Sequence, residues 1–513
     1  MAKRREDRAK GKKTAEVSEC DLDEGFVIPV GSIRDCTWEN IRTSFSRSRY
    51  LQALVSFVII GAILRFYDLG FNSLWLDEAT TYYQSLKPFF EIWQTMAAGD
   101  FNPPLFYWIE HVMLMAGHSE FILRFMPAVL GIMFIPLMYC VGKEFMDRNT
   151  GIVAAAAAAF SPFLIYYSQE ARAYALMLFF IALALVFYFK ALKTGKAREW
   201  GLFGLFAALA FWSHFYVFVL IASLVLYALA LQFKDIKDIR QNLGKVGAIL
   251  VSVAVFTLVA LPLIIMAIQL FFKQTAAAPN FGVFGLDIIY QVLLLCSGSN
   301  IFILLLFIAL FLIGLLHLYI RDRKQSIFLV TILLLIMVAT YIMSYKMPME
   351  PRHLIFIIIP FYLGIASSWG MLCRLWDGKM VVYLLMAALI MVNVPTITEL
   401  YSGYTKDDWR GVSAGLQNLT KNGDKVVLVP GYLNQPLNYY YSNASDNTIE
   451  LYASTVKELD AIKADQQNST IFYIVTSDIY AVDPRGDEVA WLQNNTKSTG
   501  RDGGIVVFIS PSP

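Results

Sequence analysis

Two adjacent carboxylates, Asp77 and Glu78, follow a tryptophan in a polar stretch between apolar segments. Neighbouring residues on a regular backbone point in different directions, so the pair cannot flank a substrate symmetrically as two glycosidase carboxylates do. One acid can instead act as a general base towards a hydroxyl while the other orients it. The alternative is structural, because acids at the N-cap and in the first turn also stabilise an ordinary surface helix.

Cationic residues occur in two other polar stretches, each flanked by long apolar runs. Guanidinium and ammonium groups bind phosphate oxygens, and ionisable residues at a membrane boundary are the first candidates for a functional site. Acidic and aromatic residues accompany them, which suits an anionic lipid head group. The candidate binding residues are Glu170, Arg172, Tyr174, Tyr345, Lys346 and Arg352.

Each candidate also has a purely structural interpretation. Glu170 and Arg172 can form an ion pair that anchors a helix end, and Lys346 and Arg352 can extend along apolar surface into water. His214 lies within an apolar run, where a histidine more often packs at an interface than binds a ligand. Together, however, these loops supply cations and an acidic pair that can take a proton from an acceptor. A sugar carried on a polyprenyl phosphate meets both requirements.

Composition defines the class of protein. The 513 residues are 57% apolar and 16% charged, whereas a soluble globular domain carries roughly 25% charged residues. This excludes a soluble protein and predicts a lipid bilayer as the solvent of the central region. The net charge of +2 provides no basic excess for a nucleic-acid partner. The five cysteines show no metal-ligand spacing and predict no disulfide framework.

Long apolar runs predict an α-helical polytopic membrane protein. A span needs about 20 predominantly apolar residues, and the nearly uncharged stretch 199–233 is too long for one helix, so we divide it at Ser213-His214. Eleven spans result. They are 51–67, 121–142, 150–167, 173–192, 199–213, 215–233, 246–270, 300–320, 327–345, 354–373 and 379–397.

The placement of Lys and Arg predicts the orientation in a cell membrane. Alternate loops carry fourteen Lys and Arg residues and the opposite loops carry five, which favours a cytoplasmic N-terminus and an extracytoplasmic C-terminus. Residues 104–116 are then expected to form a helix on the outer surface. The predicted domains are a disordered cytoplasmic tail (1–50), a transmembrane domain (51–397) with a catalytic outer loop (68–120), and an extracytoplasmic domain (398–513).

The C-terminal region alternates short β-branched and aromatic runs with polar helical patterns. This order predicts a small α/β domain. The expected strands are Lys425–Val429, Thr448–Tyr452, Thr470–Val475 and Gly504–Ile509, and the expected helices are Val456–Ala464 and Asp487–Asn495.

Four short segments, spread over residues 50–400, resemble the polyprenyl-phosphate-sugar glycosyltransferases of the GT-C superfamily. This superfamily includes the protein O-mannosyltransferases and the aminoarabinose transferases of lipid A. The segment Tyr404-Thr-Lys-Asp-Asp-Trp409-Arg410 is similar to the start of the outer domain in prokaryotic members. The four segments are Trp75-Leu-Asp77-Glu78, Pro103-Pro104-Leu-Phe-Tyr107, Ser168-Gln-Glu170-Ala-Arg172-Ala-Tyr174 and Pro351-Arg352-His353-Leu.

The resemblance implies a role for each matching residue. Asp77 corresponds to the catalytic aspartate of loop one, the general base, and Glu78 to the adjacent acid that positions it. Arg172 and Arg352 correspond to residues that hold the lipid phosphate, and Glu170 would orient Arg172 or contact the sugar.

The resemblance also raises the question of a divalent metal ion, which some aminoarabinose transferases hold with an acid and a histidine. Asp100 and His214 are the nearest matches here. Asp100 is displaced by one residue from the expected spacing, and Asn102 replaces the usual lysine or histidine. No cofactor is therefore assigned with certainty.

The expected reaction is an inverting single displacement in which a hydroxyl attacks the anomeric carbon of a polyprenyl-phosphate or dolichyl-phosphate sugar. Mannose is the favoured sugar because it is the commonest donor in the family, and the acceptor is a protein, a lipid or a glycan. The alternative is a transporter or flippase of an anionic lipid-linked substrate. Arg65 and Arg124, near the outer ends of two spans, are its main candidate residues.

Overall fold

The computed structural model describes residues 21–23, 37–99, 102–232, 239–275, 282–376, 378–441, 449–466, 469–476 and 478–510. Its described residues form two compact units. The helical unit comprises those within Met1–Tyr67, Trp93–Phe106 and Pro127–Thr398. The mixed unit comprises those within Asp68–Ile92, Tyr107–Met126 and Glu399–Pro513.

Helices dominate the chain up to residue 400. In chain order they are α1 (Trp38–Arg47), α2 (Arg49–Phe66), α3 (Leu76–Ser85), α4 (Phe89–Ala98), α5 (Leu105–Leu114), α6 (Glu120–Phe145), α7 (Arg148–Ala159), α8 (Pro162–Ser168), α9 (Tyr174–Thr194), α10 (Ala197–Ser213), α11 (Val217–Gln232), α12 (Ile239–Gln274), α13 (Gly285–Cys296), α14 (Ile301–Arg321), α15 (Arg323–Ser344), a 3₁₀ helix (Pro351–Ile357), α16 (Ile358–Ala366), α17 (Trp369–Leu372) and α18 (Gly378–Leu400).

Among the described residues, eight helices are long and apolar enough to cross a membrane, or nine if the bent pair α7 and α8 counts as one span. Ten of the eleven predicted segments coincide with one helix or with this pair, and the segment 354–373 covers the 3₁₀ helix, α16 and α17. The break predicted at Ser213-His214 is also present, since α10 ends at Ser213. The sequence did not predict α13, a helix of 12 residues. The polytopic helical prediction is confirmed.

Arg65 stabilises the bend between α7 and α8 within the helical unit. Its buried guanidinium donates to the carbonyls of Ala158 and Ala159, which end α7, at 3.1 and 3.2 Å. A third N–H reaches Ser168 Oγ at 3.2 Å. The C-terminal carbonyls of a helix have no partner within it, so Arg65 supplies donors that lipid cannot. These contacts account for the burial of Arg65, so no role in transport is needed to explain it.

The mixed unit contains a five-stranded sheet with helices around it. The strands are β1 (Lys425–Val429), β2 (Ile449–Tyr452), β3 (Ile471–Val475), β4 (Lys497–Asp502) and β5 (Ile505–Ser510), in the order β2-β1-β3-β5-β4. The first three are parallel, and β5 is antiparallel to β3 and β4. The helices are α19 (Trp409–Leu419), α20 (Asn434–Tyr440), α21 (Val456–Ala464), α22 (Ile479–Val482) and α23 (Asp487–Asn495).

Helices cover both faces of this sheet. Successive side chains of a strand point to opposite faces, so neighbouring residues of β1 pack against different helices. Val426 and Leu428 pack with Trp409 of α19 on one face. Val427 and Val429 pack with Leu492 of α23 on the other. The predicted small α/β domain at the C-terminus is therefore confirmed as a fold.

Glu488, in the first turn of α23, is buried among acids. Burial raises its pKa from the ordinary value to about 7, and the charges of Asp483 and Asp487 add to the rise. The folded form thus binds more protons than the unfolded form between the ordinary carboxyl pKa and about 7. Over that window the stability of the unit falls as the pH rises.

Glu488→Gln should stabilise α23 at about pH 8, because the amide removes a buried charge that costs on the order of 3 kcal/mol. Amide hydrogen exchange of α23 measures this as slower exchange than in the wild type. The difference should disappear near pH 4, where the glutamate is neutral in both states. Asp487→Asn, an exposed change in the same turn, should slow exchange less, because it removes only one of the charges that raise the pKa of Glu488. Equal exchange rates at pH 8 would contradict the prediction.

Candidate active site

Helix α3 of the mixed unit carries both acids of the predicted pair in its first turn. Trp75 is the N-cap residue in an extended conformation, and its side chain makes no capping bond. Asp77 and Glu78 follow at the positive end of the helix dipole, where carboxylates are favoured. Both acids therefore lie in the first turn of a helix, as the structural interpretation expects. Their side chains, however, have different surroundings.

Glu78 is fully buried and paired on both carboxylate oxygens. Arg124 Nε lies 2.8 Å from Oε1 and Arg124 Nη2 lies 2.7 Å from Oε2. Lys406 Nζ lies 3.0 Å from Oε2. The remaining Arg124 donors bind the carbonyls of Leu69, Asn72 and Ser73, in the segment that leads into α3. This ion cluster therefore fixes the start of the helix.

Asp77 is partly exposed and lines a cavity of about 740 Å³. Residues of α3 form one part of its wall, and residues that follow β1 and β2 form the rest. Adjacent positions on α3 thus separate an immobilised acid from an accessible one. A positioning group and a general base would need such a difference in surroundings, and both roles stay predictions.

A second set of polar contacts in the mixed unit holds the segment before α3. Ser73 Oγ donates to Asp408 Oδ1 at 3.0 Å, and Asp408 also caps α19. Tyr440 Oη accepts from the Leu74 amide at 2.8 Å and donates to Glu120 at 2.7 Å. Glu120 is further paired with Arg410. Asp408, Arg410 and Tyr440 lie hundreds of positions from Asp77, so sequence reasoning assigned them no role.

A buried acid, Glu110, lies on α5 in the same unit. Its burial and the negative charge of Glu78 raise the pKa of Glu110 well above its ordinary value. This shift favours the neutral form of Glu110 over a second negative charge near Glu78.

In the helical unit, the turn between α8 and α9 carries Glu170 and Arg172. Glu170 is fully buried. Arg172 Nη2 donates to Asn102 Oδ1 at 3.2 Å. Arg352 belongs to the 3₁₀ helix, and both guanidinium groups act electrostatically on His214. Two of the predicted phosphate-binding residues therefore share one region of this unit.

Aromatic rings connect the other predicted residues of this region. The ring centroids of Tyr174 and His214 are 5.8 Å apart, and those of His214 and His353 are 5.4 Å apart. Tyr216 stacks on His353 at 5.1 Å. The structure thus brings together Tyr174, His214 and the neighbour of Arg352, as a functional grouping of these segments requires.

Tyr345 and Lys346 are placed differently within the helical unit. Tyr345 is half exposed and packs against Phe284 and Tyr341, with ring centroids 6.4 and 5.5 Å apart. Lys346 is exposed just beyond the end of α15. Their predicted part in donor binding remains a prediction.

The predicted metal ligands do not form a ligand set in the part of the chain that the structure describes. Asp100 lies outside the described residues. His214 accepts from the Tyr216 amide at 3.4 Å, and His353 Nδ1 accepts from the Glu350 amide at 3.1 Å. No group of three His, Cys, Asp or Glu with metal-binding geometry occurs among the described residues.

Comparison with solved structures defines the fold class. ArnT from Cupriavidus metallidurans bound to undecaprenyl phosphate matches with a TM-score of 0.50 and 13% identity, over 89% of this chain and 97% of that chain. AglB, the archaeal oligosaccharyltransferase from Archaeoglobus fulgidus, in complex with an inhibitory peptide and a dolichol-phosphate, matches with a TM-score of 0.53 and 13% identity, over 91% and 74%. The chain is a multi-pass membrane protein with the GT-C fold.

A sequence-family comparison points in the same direction. Residues 102–260 match the family model described as dolichyl-phosphate-mannose-protein mannosyltransferase. No curated protein matches the sequence. The matched range includes Glu170, Arg172 and His214, and it excludes Asp77 and the C-terminal sheet.

Glu78→Gln should lower the thermal unfolding midpoint of the protein, because removing one member of a buried ion pair typically costs about 3–5 kcal/mol. A cycle with Arg124→Gln should be non-additive, since the first change already leaves Arg124 without its carboxylate. Unfolding in detergent, followed by intrinsic fluorescence, measures both effects.

The matched control is Glu144→Gln, which breaks the exposed pair between Glu144 and Lys193 (3.1 Å). An exposed pair contributes at most about 1 kcal/mol, so the midpoint should change little. Equal shifts for Glu78→Gln and Glu144→Gln would contradict a structural role for the Glu78 cluster.

Proposed function

We propose that this protein is a membrane glycosyltransferase that moves a sugar from a polyprenyl-phosphate donor to a hydroxyl of an acceptor. The observation that carries the proposal is the separation of the two acids on α3. Glu78 is locked by Arg124 and Lys406, whereas Asp77 is accessible in a cavity. A transporter of the same lipid has no need for a rigidly positioned, accessible carboxylate.

Asp77 is the general base in this mechanism. It removes the proton from the acceptor hydroxyl as the oxygen attacks the anomeric carbon, and the lipid phosphate leaves from the opposite face with inversion of configuration. Glu78 acts as a positioning residue, because it holds the first turn of α3 in place. Phosphate is a good leaving group, so no second carboxylic acid is required.

Arg172 and Arg352 bind the phosphate and stabilise the negative charge that grows on it. Glu170 orients Arg172 or contacts the sugar, and Tyr174 and His214 complete this binding region. Tyr345 and Lys346 are assigned to the donor on the sequence pattern alone, and Tyr345 packs against Phe284 and Tyr341. ArnT and AglB, which share the fold, were solved with undecaprenyl phosphate and dolichol-phosphate.

Mannose is the proposed sugar, supported by the description of the family model. Transfer is proposed on the extracytoplasmic side of the cell membrane, supported by the Lys and Arg bias between alternate loops. The same bias supports a cytoplasmic tail (1–50), a transmembrane domain (51–397) with its catalytic loop (68–120), and an extracytoplasmic domain (398–513).

Asp77→Asn should reduce sugar transfer by about 10²–10⁴-fold, the usual contribution of a general base. Donor binding should persist, because the phosphate-binding residues are unchanged. The assay uses purified protein in bilayers, polyprenyl-phosphate-mannose labelled in the sugar, and extracted membranes as acceptors. Nucleotide-activated mannose serves as the donor that should not react.

The matched control is Asp287→Asn, which alters an exposed first-turn acid of α13. Transfer by this variant should equal that of the wild type. Undiminished transfer by Asp77→Asn would remove Asp77 from its role. Movement of intact donor across the bilayer, without transfer, would replace the proposal with the transporter alternative.

A further inference from the structure

The cavity at Asp77 belongs to the mixed unit, and its volume of about 740 Å³ is typical of ligand sites, which measure roughly 300–1,000 Å³. Part of its wall follows the carboxyl ends of the adjacent parallel strands β1 and β2, the usual place for ligands in α/β sheets. Its ten lining residues are Leu76, Asp77, Thr80, Gly431, Tyr432, Asn434, Gln435, Tyr452, Ser454 and Glu458.

The polar groups of the wall are held in place by hydrogen bonds to one another. Gln435 Oε1 lies 2.6 Å from the Thr80 hydroxyl. Ser454 Oγ accepts from the Gly431 amide at 3.1 Å, and Glu458 accepts from the Ser454 amide at 2.8 Å. A site whose groups are already oriented loses little entropy when a ligand binds. The wall is therefore built as a binding surface.

The charges of the wall exclude anionic ligands. Asp77 and Glu458 both carry carboxylates, and none of the described residues that line the cavity is Lys or Arg. A phosphate group on an acceptor would face two negative charges without a compensating cation, which lowers affinity and slows association. An acceptor with a phosphorylated head group does not suit this cavity.

The side chains of the wall also disfavour an aliphatic ligand. Leu76 is the one aliphatic side chain among the described lining residues, whereas Tyr432 and Tyr452 present rings that are 42% and 48% exposed. Planar amide and carboxylate groups can pair with two neighbouring hydroxyls, and aromatic rings cover the C–H faces of pyranose rings. Asn434, Gln435 and Glu458 supply such planar groups in the same wall.

We infer that this cavity binds the acceptor and that the acceptor is an uncharged carbohydrate chain, whose terminal hydroxyl reaches Asp77. The inference rests on the proposed function, because it takes Asp77 as the base that receives the hydroxyl proton. The mixed unit thereby selects the acceptor through Tyr432, Tyr452 and the polar groups of the same wall.

A transfer experiment tests the acceptor class. Purified protein in lipid nanodiscs receives polyprenyl-phosphate-mannose labelled in the sugar, with mannotriose or mannotriose 6-phosphate as acceptor. Tyr452→Ala should raise the KM for mannotriose by about tenfold through the loss of ring contact, with kcat and donor binding little changed. Mannotriose 6-phosphate should be the poorer acceptor, and Glu458→Lys should reduce that difference.

Tyr480→Ala is the matched control, because Tyr480 is an exposed tyrosine of the same unit (62% exposed) outside the cavity. Its kinetic constants should equal those of the wild type. An unchanged KM in Tyr452→Ala, or a preference for the phosphorylated acceptor, would overturn the inference. Transfer of the sugar in the same assay would still support the proposed function.

A binding experiment without donor separates the two proposals. Saturation-transfer NMR with mannotriose should show contact with the wild type and with Tyr480→Ala, and a signal reduced by about tenfold in Tyr452→Ala, as expected when a ring contact is lost. Binding of this kind together with an unreactive donor would reject the transfer reaction but support the carbohydrate site. Absence of mannotriose binding to the wild type would overturn the inference.

Discussion

The buried ion pair between Glu78 and Arg124 is the contact on which the mixed unit's candidate site depends. Burying two charges is costly, and such a pair is often no more stabilising than apolar residues of equal volume. What the pair contributes here is a fixed geometry. Arg124 donates two hydrogen bonds to the carboxylate of Glu78. It also donates to three backbone carbonyls of the segment that precedes α3. The first turn of α3 consequently has one orientation, in which Asp77 lines the cavity.

Lys406 links this arrangement to the C-terminal part of the chain. Its ammonium group lies against Glu78, while Asp408 and Tyr440 bind the segment before α3. The segments 68–92 and 107–126 therefore belong to one compact unit with residues 399–513. In this unit, residues that flank the sheet hold the segment before α3 and the first turn of α3, and so they determine where Asp77 lies.

Local pattern was enough to predict the elements whose residues carry their own signal. Apolar runs predicted the long helices, and runs of β-branched and aromatic residues predicted the strands β1, β3 and β5. The edge strand β4 (Lys497–Asp502) has no apolar residue and exists through pairing with β5, so no local pattern identifies it. The partners of Glu78 were missed for a similar reason. Arg124 is 46 residues away and Lys406 is far beyond it, and only tertiary contacts bring them to one carboxylate.

The same tertiary contacts weaken the transport alternative. Arg65 and Arg124 were its candidate residues, since an arginine near the end of a span suggests a path for an anion. The structure commits the Arg65 guanidinium to helix carbonyls and the Arg124 guanidinium to Glu78 and backbone oxygens. An arginine whose donors are already engaged cannot release them to a passing anion without leaving buried acceptors unsatisfied. Arg172 and Arg352 are only half-buried, and it is these two arginines that the proposed glycosyltransferase mechanism uses to bind the lipid phosphate.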